Sequence, residues 1–365
     1  MSVTATETIT PPTAALAEVV RQAELRYVSD EEPGLGRKRS GKGWSYLGVD
    51  GKRITDKRLR KRLEALAIPP AWTEVWICPS ENGHILATGR DERGRKQYLY
   101  HPEWHRVRDT AKFEHMLTFG RLLPHIRRRV QADLKLPGLP KDKVLAAVVK
   151  LLETTLIRVG NKTYAEENGS YGLTTMRKKH VDVAGTSVAF EFRGKSGKEW
   201  DIELRDPQIA RIVKKCEELP GYELFKYLDE DGKRQDVDSG DVNDYLKRIT
   251  GEEVSAKDFR TWAGTVLATF SLTGSERFET EAQATKNVTA AIKEVAKKLG
   301  NTPAVCRKSY VHPEVISCYL EGSLGELADV SRAVTNALPE GLRVEEVAVL
   351  TFLEARAAAP AAQPA

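Results

Sequence analysis

Residues 75–100, VWICPSENGHILATGRDERGRKQYLY, contain three short runs in which apolar and polar residues alternate. The runs cover 75–78, 84–88 and 97–100, and they are separated by the turn-forming sequences Glu81-Asn82-Gly83 and Asp91-Glu92-Arg93-Gly94. Strands joined by short turns pair in antiparallel fashion. The stretch therefore predicts a small, mainly antiparallel sheet.

The residues before this stretch add helices and a further strand to the same domain. We expect an amphipathic helix over 13–28, a strand around 44–48 and a helix around 56–66. Together these elements predict an N-terminal β-rich domain over 15–105. Residues 1–14 and 355–365 are rich in Ala, Pro and Thr, so both are expected to be disordered tails.

From Lys112 onward the apolar residues follow helical spacing. One stripe contains Leu145, Val148, Leu152 and Leu156, and another contains Ala284, Val288, Ile292, Val295 and Leu299. Residues 187–192 and 200–204 interrupt this pattern, because they alternate as strands around a basic turn. The fold class is therefore α+β, with a mostly helical second domain over 106–354 that carries a β-hairpin.

Composition excludes several classes of protein. No apolar run approaches the roughly 20 residues of a membrane span, and the N-terminus lacks the layout of a signal peptide, so we expect a cytoplasmic protein. The four cysteines and seven histidines show no metal-ligand spacing, and no glycine-rich phosphate loop is present. We expect neither a metal nor a nucleotide cofactor.

Basic residues are concentrated in two segments of the N-terminal domain. Residues 37–62 contain eleven Lys and Arg side chains, which suit either a phosphate backbone or a solvated helix face. In 90–100, Arg90 and other cations accompany Gln97, Tyr98 and Tyr100. On a strand the two tyrosines share one face and Gln97 points the other way, so this face suits either a DNA groove or the core.

Two basic residues of the helical domain have both a chemical and an ordinary interpretation. Arg158 follows the first apolar stripe, just before the helix-stop signal Gly160-Asn161. It suits a bidentate contact with a phosphate, or an ion pair with Glu153 or Glu166. Lys195 lies at the hairpin tip, where it either donates a proton to a leaving oxygen or remains in solvent.

Lys257 and Arg260 share one helix face, while Phe259 and Trp262 anchor the helix. Two cations aimed at one point indicate an anion between them or an acidic neighbour. Farther along, Gly300 ends one helix, Thr302-Pro303 begins another, and Tyr310 follows a basic pair. As a nucleophile Tyr310 would need nearby cations, because the pKa of free tyrosine is near 10.

Five segments in order resemble the type IB DNA topoisomerases, particularly the compact bacterial and poxviral branch, and the likeness runs from about Tyr27 to about Leu324. They are GRDERGRKQYLYHP, LIRVGNKTYAEENGSYGLTT, FRGKSGK, KDFRTWAGT and GNTPAVCRKSYVHP. The resemblance implies a catalytic set of Arg158, Lys195, Arg260, Asn301 and Tyr310. It also implies DNA contacts by Gln97, Tyr98, Tyr100 and Tyr164, to which we add Arg90 and Lys257.

The resemblance implies an enzyme that closes around duplex DNA as a monomer and relaxes supercoils without ATP or metal. One strand would be cut through a 3′-phosphotyrosyl intermediate, would rotate, and would be resealed. The enzyme would be cytoplasmic and associated with the nucleoid. Two alternatives are a tyrosine recombinase and a noncatalytic DNA-binding protein. Recombinases typically carry a His-x-x-Arg-His pattern, whereas this chain has KDFRTW around Arg260.

Asn301 departs from the histidine that many family members have at this position. An amide donates a hydrogen bond but does not become charged. We therefore expect Asn301 to position a phosphate oxygen and to transfer no proton, and we expect Asn301→His to retain substantial activity.

Overall fold

The computed structural model describes residues 20, 23–41, 43–92, 94–275, 278–325 and 340–358, and it gives no side-chain positions for 105–111. The chain divides into an N-terminal unit, Met1–His115, and a C-terminal unit, Met116–Ala365. The division falls within a long helix, Pro102–Asp133, and lies ten residues after the boundary that the sequence predicted between 105 and 106.

The N-terminal unit contains a five-stranded antiparallel sheet in the order β2-β1-β3-β4-β5. The strands are β1 (Leu35–Ser40), β2 (Gly43–Leu47), β3 (Thr73–Ile77), β4 (Ile85–Arg90) and β5 (Lys96–Tyr100). Helix α1 (Lys57–Ala65) begins where the Asp56 carboxylate accepts two backbone N–H groups. Its Leu63 is fully buried against Leu35, Tyr46 and Ile77. The predicted sheet and this helix are confirmed, and β1 is an additional strand.

The predicted helix over 13–28 is wrong at its C-terminal end. Residues 23–28 form a turn and an isolated bridge between Arg26 and Gly83. The Arg26 N–H donates to Asn82 O at 2.7 Å, and the Val28 N–H donates to His84 Nδ1 at 3.0 Å. These bonds to the turn before β4 replace helical ones. Val20 is helical, whereas 13–19, 21 and 22 lie outside the described residues.

The two predicted apolar stripes lie on two of the helices that follow the five-stranded sheet. These helices are α2 (Pro102–Asp133), α3 (Lys141–Thr155), α4 (Lys162–Asn168), α5 (Pro207–Glu218), α6 (Ser239–Thr250), α7 (Ala256–Thr273), α8 (Glu281–Leu299), α9 (Pro303–Tyr310), α10 (Pro313–Leu320) and α11 (Val344–Ala358). The α8 stripe is buried throughout, and in the α3 stripe only Leu156, beyond the helix end, is half-exposed. The α+β class is confirmed.

Two small sheets interrupt these helices. The predicted hairpin is present as β7 (Ser187–Arg193) and β8 (Glu199–Arg205), paired in register, with β6 (Val181–Ala184) as a third strand that the alternation did not predict. Strands β9 (Lys226–Leu228) and β10 (Arg234–Asp236) form a separate pair. At the other end α11 continues to Ala358 and so includes four residues of the predicted tail, whereas 1–14 and 359–365 lie outside the described residues.

Two kinds of feature are absent from the described residues. No helix among them is long and apolar enough to cross a membrane. Within the same ranges, His, Cys, Asp and Glu side chains form no group that could hold a metal ion. All four cysteines are buried free thiols.

Candidate active site

Tyr310 is the last residue of α9, and helix α7 fixes its backbone. Thr302 caps α9 by accepting the Val305 N–H, which places Tyr310 two turns farther along. The Tyr310 carbonyl accepts a hydrogen bond from Thr265 Oγ1 at 3.3 Å. A Cβ added to Gly264 would lie 2.5 Å from the same carbonyl oxygen, so only glycine permits this approach. The Tyr310 side chain is half-buried.

Arg260 lies in α7 directly beside the tyrosine ring. Its side chain is only 3% exposed, and its guanidinium carbon lies 5.4 Å from the centroid of the Tyr310 ring. It donates to Leu299 O at 2.5 Å and to Leu156 O. Burial, together with the charge of Arg158, lowers the pKa of Arg260 to about 10, so the group remains charged at neutral pH.

Arg158 follows α3, but the helix ends earlier than the sequence indicated. It stops at Thr155, and Leu156 caps it in the left-handed region with φ 58°. The Arg158 backbone carbonyl accepts the Leu173 N–H at 2.9 Å, which fixes the segment. The side chain donates to Gly300 O at 3.2 Å and to Asn301 Oδ1. The alternative acceptor Glu153 is bound by Arg127 instead.

Asn301 follows the glycine cap of α8 and supplies a neutral donor. Its Oδ1 is used by Arg158, which assigns Nδ2 as the free amide nitrogen. Nδ2 is buried and finds no hydrogen-bond acceptor in the part of the chain that the structure describes. A buried donor without an acceptor is costly, and a phosphate oxygen entering the site would satisfy it.

Lys195 lies in the turn between β7 and β8, as predicted. The turn closes through the Gly194 N–H, which donates to Lys198 O at 2.7 Å. The Lys195 side chain is exposed to water. Partial desolvation and the positive charge of Arg158 nevertheless lower its pKa, although the Tyr310 phenolate would oppose this shift. A lysine with a lowered pKa gives up its proton more readily.

The electrostatics of the site favour the phenolate form of Tyr310. Burial raises the pKa of the phenol, but Arg260 and then Arg158 outweigh burial, so the net pKa lies below its ordinary value of 10. Lys257, on the exposed face of α7, contributes in the same direction. The structure therefore brings together the five predicted catalytic residues, all within the C-terminal unit.

The predicted DNA contacts of the N-terminal unit lie on β4 and β5. Arg90 is half-exposed and forms an ion pair with Glu74 at 2.7 Å. Gln97 is 8% exposed, and its amide donates to Asp91 at 3.0 Å. Tyr98 and Tyr100 share the opposite face with ring centroids 5.8 Å apart, and both are half-buried. The predicted alternation along β5 is confirmed, whereas the DNA contacts remain predictions.

Tyr164 lies elsewhere in the C-terminal unit, on the short helix α4. Its backbone N–H donates to Asn161 Oδ1 at 3.1 Å, which caps the helix, and its ring is half-buried. Its role as a DNA contact, like that of Lys257, remains a prediction.

Sequence patterns missed three residues that build the site. Gly264 and Thr265 were part of a quoted segment, but only contact with Tyr310 reveals their role. Trp200 was interpreted as a strand residue, yet its ring packs against both Gly194 and Gly300. The contacts of Gly264 and Thr265 with Tyr310 and of Trp200 with Gly300 join residues far apart in sequence, so no local signal indicates them. The contact of Trp200 with Gly194, by contrast, lies within one hairpin.

Two kinds of comparison, with protein families and with individual proteins, identify the same class of enzyme. Residues 101–330 match the family described as eukaryotic DNA topoisomerase I, catalytic core, and 43–91 match bacterial DNA topoisomerase IB, N-terminal domain. The DNA topoisomerase 1B of Acanthamoeba polyphaga mimivirus is 32% identical over 293 residues, which cover 78% of this chain and 87% of the viral protein.

More distant relatives carry related names. The DNA topoisomerase 1B of vaccinia virus (strain Copenhagen) is 22% identical over 286 residues, covering 73% of this chain and 87% of that protein. The DNA topoisomerase 1 of Mycosarcoma maydis is 26% identical over 176 residues, 43% of this chain and 17% of its own. Fold, site and relatives thus define a DNA topoisomerase. The chain belongs to the type IB family of these enzymes, as its five segments indicated.

Proposed function

We propose that this enzyme relaxes supercoiled duplex DNA by cutting and resealing one strand, with Tyr310 as the nucleophile. The observation that carries the proposal is the placement of the Arg260 guanidinium 5.4 Å from the Tyr310 ring, with Arg158 close enough to lower the pKa of the same phenol. A phenolate stabilised in this way is a competent nucleophile at a pH where free tyrosine is protonated.

In the proposed reaction the Tyr310 oxygen attacks a backbone phosphate. A bond forms between that oxygen and phosphorus, and the bond from phosphorus to the 5′ oxygen breaks. Negative charge on the nonbridging oxygens would be stabilised by Arg158 and Arg260 and by the unpartnered Nδ2 of Asn301. Asn301 would position an oxygen without transferring a proton.

The departing 5′ oxygen needs a proton, and Lys195 is the proposed donor because its pKa is lowered by desolvation and by Arg158. The products are a 3′-phosphotyrosyl ester and a free 5′-hydroxyl. Because one phosphoester replaces another, the bond energy is retained and resealing needs no ATP. The free end would rotate before resealing and release superhelical tension. The proposed chemistry uses protein side chains alone and assigns no step to a metal.

The same proposal includes action as a monomer on cytoplasmic, nucleoid-associated DNA, with Arg90, Gln97, Tyr98, Tyr100, Tyr164 and Lys257 as DNA contacts. A monomer is supported by the five catalytic groups, which all come from one unit of one chain. Sedimentation in the presence and absence of duplex DNA tests it.

The direct test compares the wild-type enzyme with Tyr310→Phe on a supercoiled plasmid in EDTA without ATP. We expect relaxation and a covalent protein–DNA adduct from the wild type, and neither from the variant, with DNA binding largely intact. Tyr222→Phe is the matched control, because Tyr222 is 82% exposed and lies on a loop. It should relax the plasmid at the wild-type rate.

Two other results would favour other functions. Relaxation only of plasmids that carry one particular site, with a requirement for partner subunits, would indicate a recombinase. Unchanged DNA handling by Tyr310→Phe, with no adduct from either protein, would indicate a noncatalytic DNA-binding protein.

A further inference from the structure

Trp200 on β8 packs between two glycines that belong to separate parts of the site. A Cβ on Gly194 would lie 2.6 Å from Nε1 of the indole, and a Cβ on Gly300 would lie 2.2 Å from Cζ2. Gly194 immediately precedes Lys195, and Gly300 immediately precedes Asn301. The edge of the ring that runs from Cδ1 through Nε1 to Cζ2 therefore lies against both the hairpin turn and the loop that carries Asn301.

The ring is held rigidly enough to set the distance between these two segments. Trp200 pairs across the hairpin with Phe192, and their rings are parallel within 1° at a centroid distance of 6.2 Å. Aromatic pairs of this kind stabilise the sheet beyond the area that they bury. Gly300 is also fixed, because it caps α8 at φ 59° and its carbonyl accepts from Arg158.

A second contact joins the same two segments. Lys198 Nζ, at the end of the hairpin turn, donates to Asn301 O at 3.3 Å, but this side chain is exposed. An exposed hydrogen bond from a flexible lysine restricts the turn weakly. The indole is therefore the main packing contact that joins the hairpin tip directly to the loop that carries Asn301.

We propose that Trp200 is a positioning residue that fixes Lys195 relative to the scissile phosphate. The inference rests on the proposed function, in which Lys195 protonates the 5′ oxygen. Loss of the indole would leave a gap between Gly194 and Gly300, and the turn would sample positions from which the ammonium does not reach the leaving oxygen. Arg260 lies within α7, Tyr310 lies at the end of α9, and the Arg158 backbone is fixed by the Leu173 N–H, so these three residues would keep their places.

The experiment separates proton donation from the other steps by changing the leaving atom. The substrate is a duplex that the wild-type enzyme cleaves at a mapped position, prepared with either oxygen or sulfur as the bridging 5′ atom. A thiol has an ordinary pKa of about 8.5, far below the roughly 16 of water, so sulfur leaves without a proton. A defect confined to proton donation should disappear on the sulfur substrate.

For Trp200→Ala we expect single-turnover cleavage of the oxygen substrate to slow by about 10²-fold, the lower end of the effect of a general acid. Cleavage of the sulfur substrate should remain close to the wild-type rate. Trp200→Phe keeps an aromatic ring of smaller size, and its cleavage rate on the oxygen substrate should lie between the rates of the wild type and of Trp200→Ala. Val188→Ala weakens the same sheet far from the turn and should leave both rates unchanged.

Lys195→Ala distinguishes failure of this inference from failure of the proposed function. If it is restored by sulfur whereas Trp200→Ala is slowed equally on both substrates, Lys195 is the proton donor and Trp200 does not position it. Full activity of Trp200→Ala on oxygen also overturns the inference. If Lys195→Ala is slowed equally on both substrates, the proton-donor assignment fails, and the role of Trp200 fails with it.

Discussion

Replacing Gly264 with alanine should reverse the usual effect of this substitution in a helix. In the interior of a helix, glycine to alanine is ordinarily stabilising by about 1 kcal/mol. At Gly264 the added Cβ would lie 2.5 Å from the Tyr310 carbonyl oxygen and 3.1 Å from Tyr310 Cβ, and real Cβ atoms essentially never approach within 3.0 Å. The nearest atom belongs to backbone, so α9 must move relative to α7.

Overpacking of this kind costs roughly 1–3 kcal/mol, which cancels or exceeds the gain in helix propensity. We expect Gly264→Ala to lower the free energy of unfolding by up to about 2 kcal/mol, given these two opposing effects. The Tyr310 ring should be displaced by up to about 1 Å, which should slow formation of the covalent adduct by up to about 10²-fold. Denaturant titration measures the first effect and single-turnover cleavage the second.

Ala263→Gly is the matched control for stability. It removes a methyl group from the neighbouring, half-buried position of α7 and should destabilise the helix by about 1 kcal/mol through propensity alone. Its rate of adduct formation should match the wild type. A Gly264→Ala enzyme that is more stable than the wild type and forms the adduct at the normal rate would refute the contact between α7 and α9.

Three further results are expected. Cleavage rate should rise with pH through a Tyr310 pKa below 10 and fall through a Lys195 pKa below 10.5, and Lys195→Ala should lose the falling limb in a pH profile. Burial lowers the pKa of His84, which is 2% exposed, from 6.5 to about 4, so the unfolded state binds more protons than the folded state between these values. Denaturation at several pH values should show about 3 kcal/mol of stability lost as the pH falls from about 7.5 to about 4, and no change from this group at higher pH. Arg127→Met should lower the free energy of unfolding by roughly 3–5 kcal/mol, because it leaves the 3%-exposed Glu346 carboxylate without its partner at 2.7 Å. The remaining ion pair of Glu346 with Arg343 should reduce this loss, which thermal unfolding measures.

Local patterns predicted most of the elements because they depend on neighbours in sequence. The β7–β8 hairpin follows from alternation around a basic turn, and α8 follows from an apolar stripe that is buried in the structure. The C-terminal end of α3 could not be predicted in this way. Leu156 adopts a left-handed conformation that leucine disfavours, and its carbonyl is bound by Arg260, a residue far away in sequence.

The catalytic set shows the same division between local and distant information. From sequence alone Lys195 could be assigned to a turn, and Tyr310 could be placed after a basic pair downstream of a helix start at Thr302-Pro303. The close contacts of Gly264 with Tyr310 and of Gly300 with Trp200, by contrast, are formed only by the folded chain. The resemblance to a family predicted that the catalytic residues lie together, whereas residue spacing alone did not.

The most direct test of the account is to identify the residue that carries DNA in the covalent adduct. A wild-type cleavage reaction on a duplex oligonucleotide is stopped with denaturant, digested with protease and nuclease, and the modified peptide is sequenced by mass spectrometry. We predict a nucleotide joined through its 3′ phosphate to Tyr310, in the peptide that follows Lys308, with a free 5′-hydroxyl on the other DNA product. A phosphate on any other residue, or joined through the 5′ end, would contradict the account.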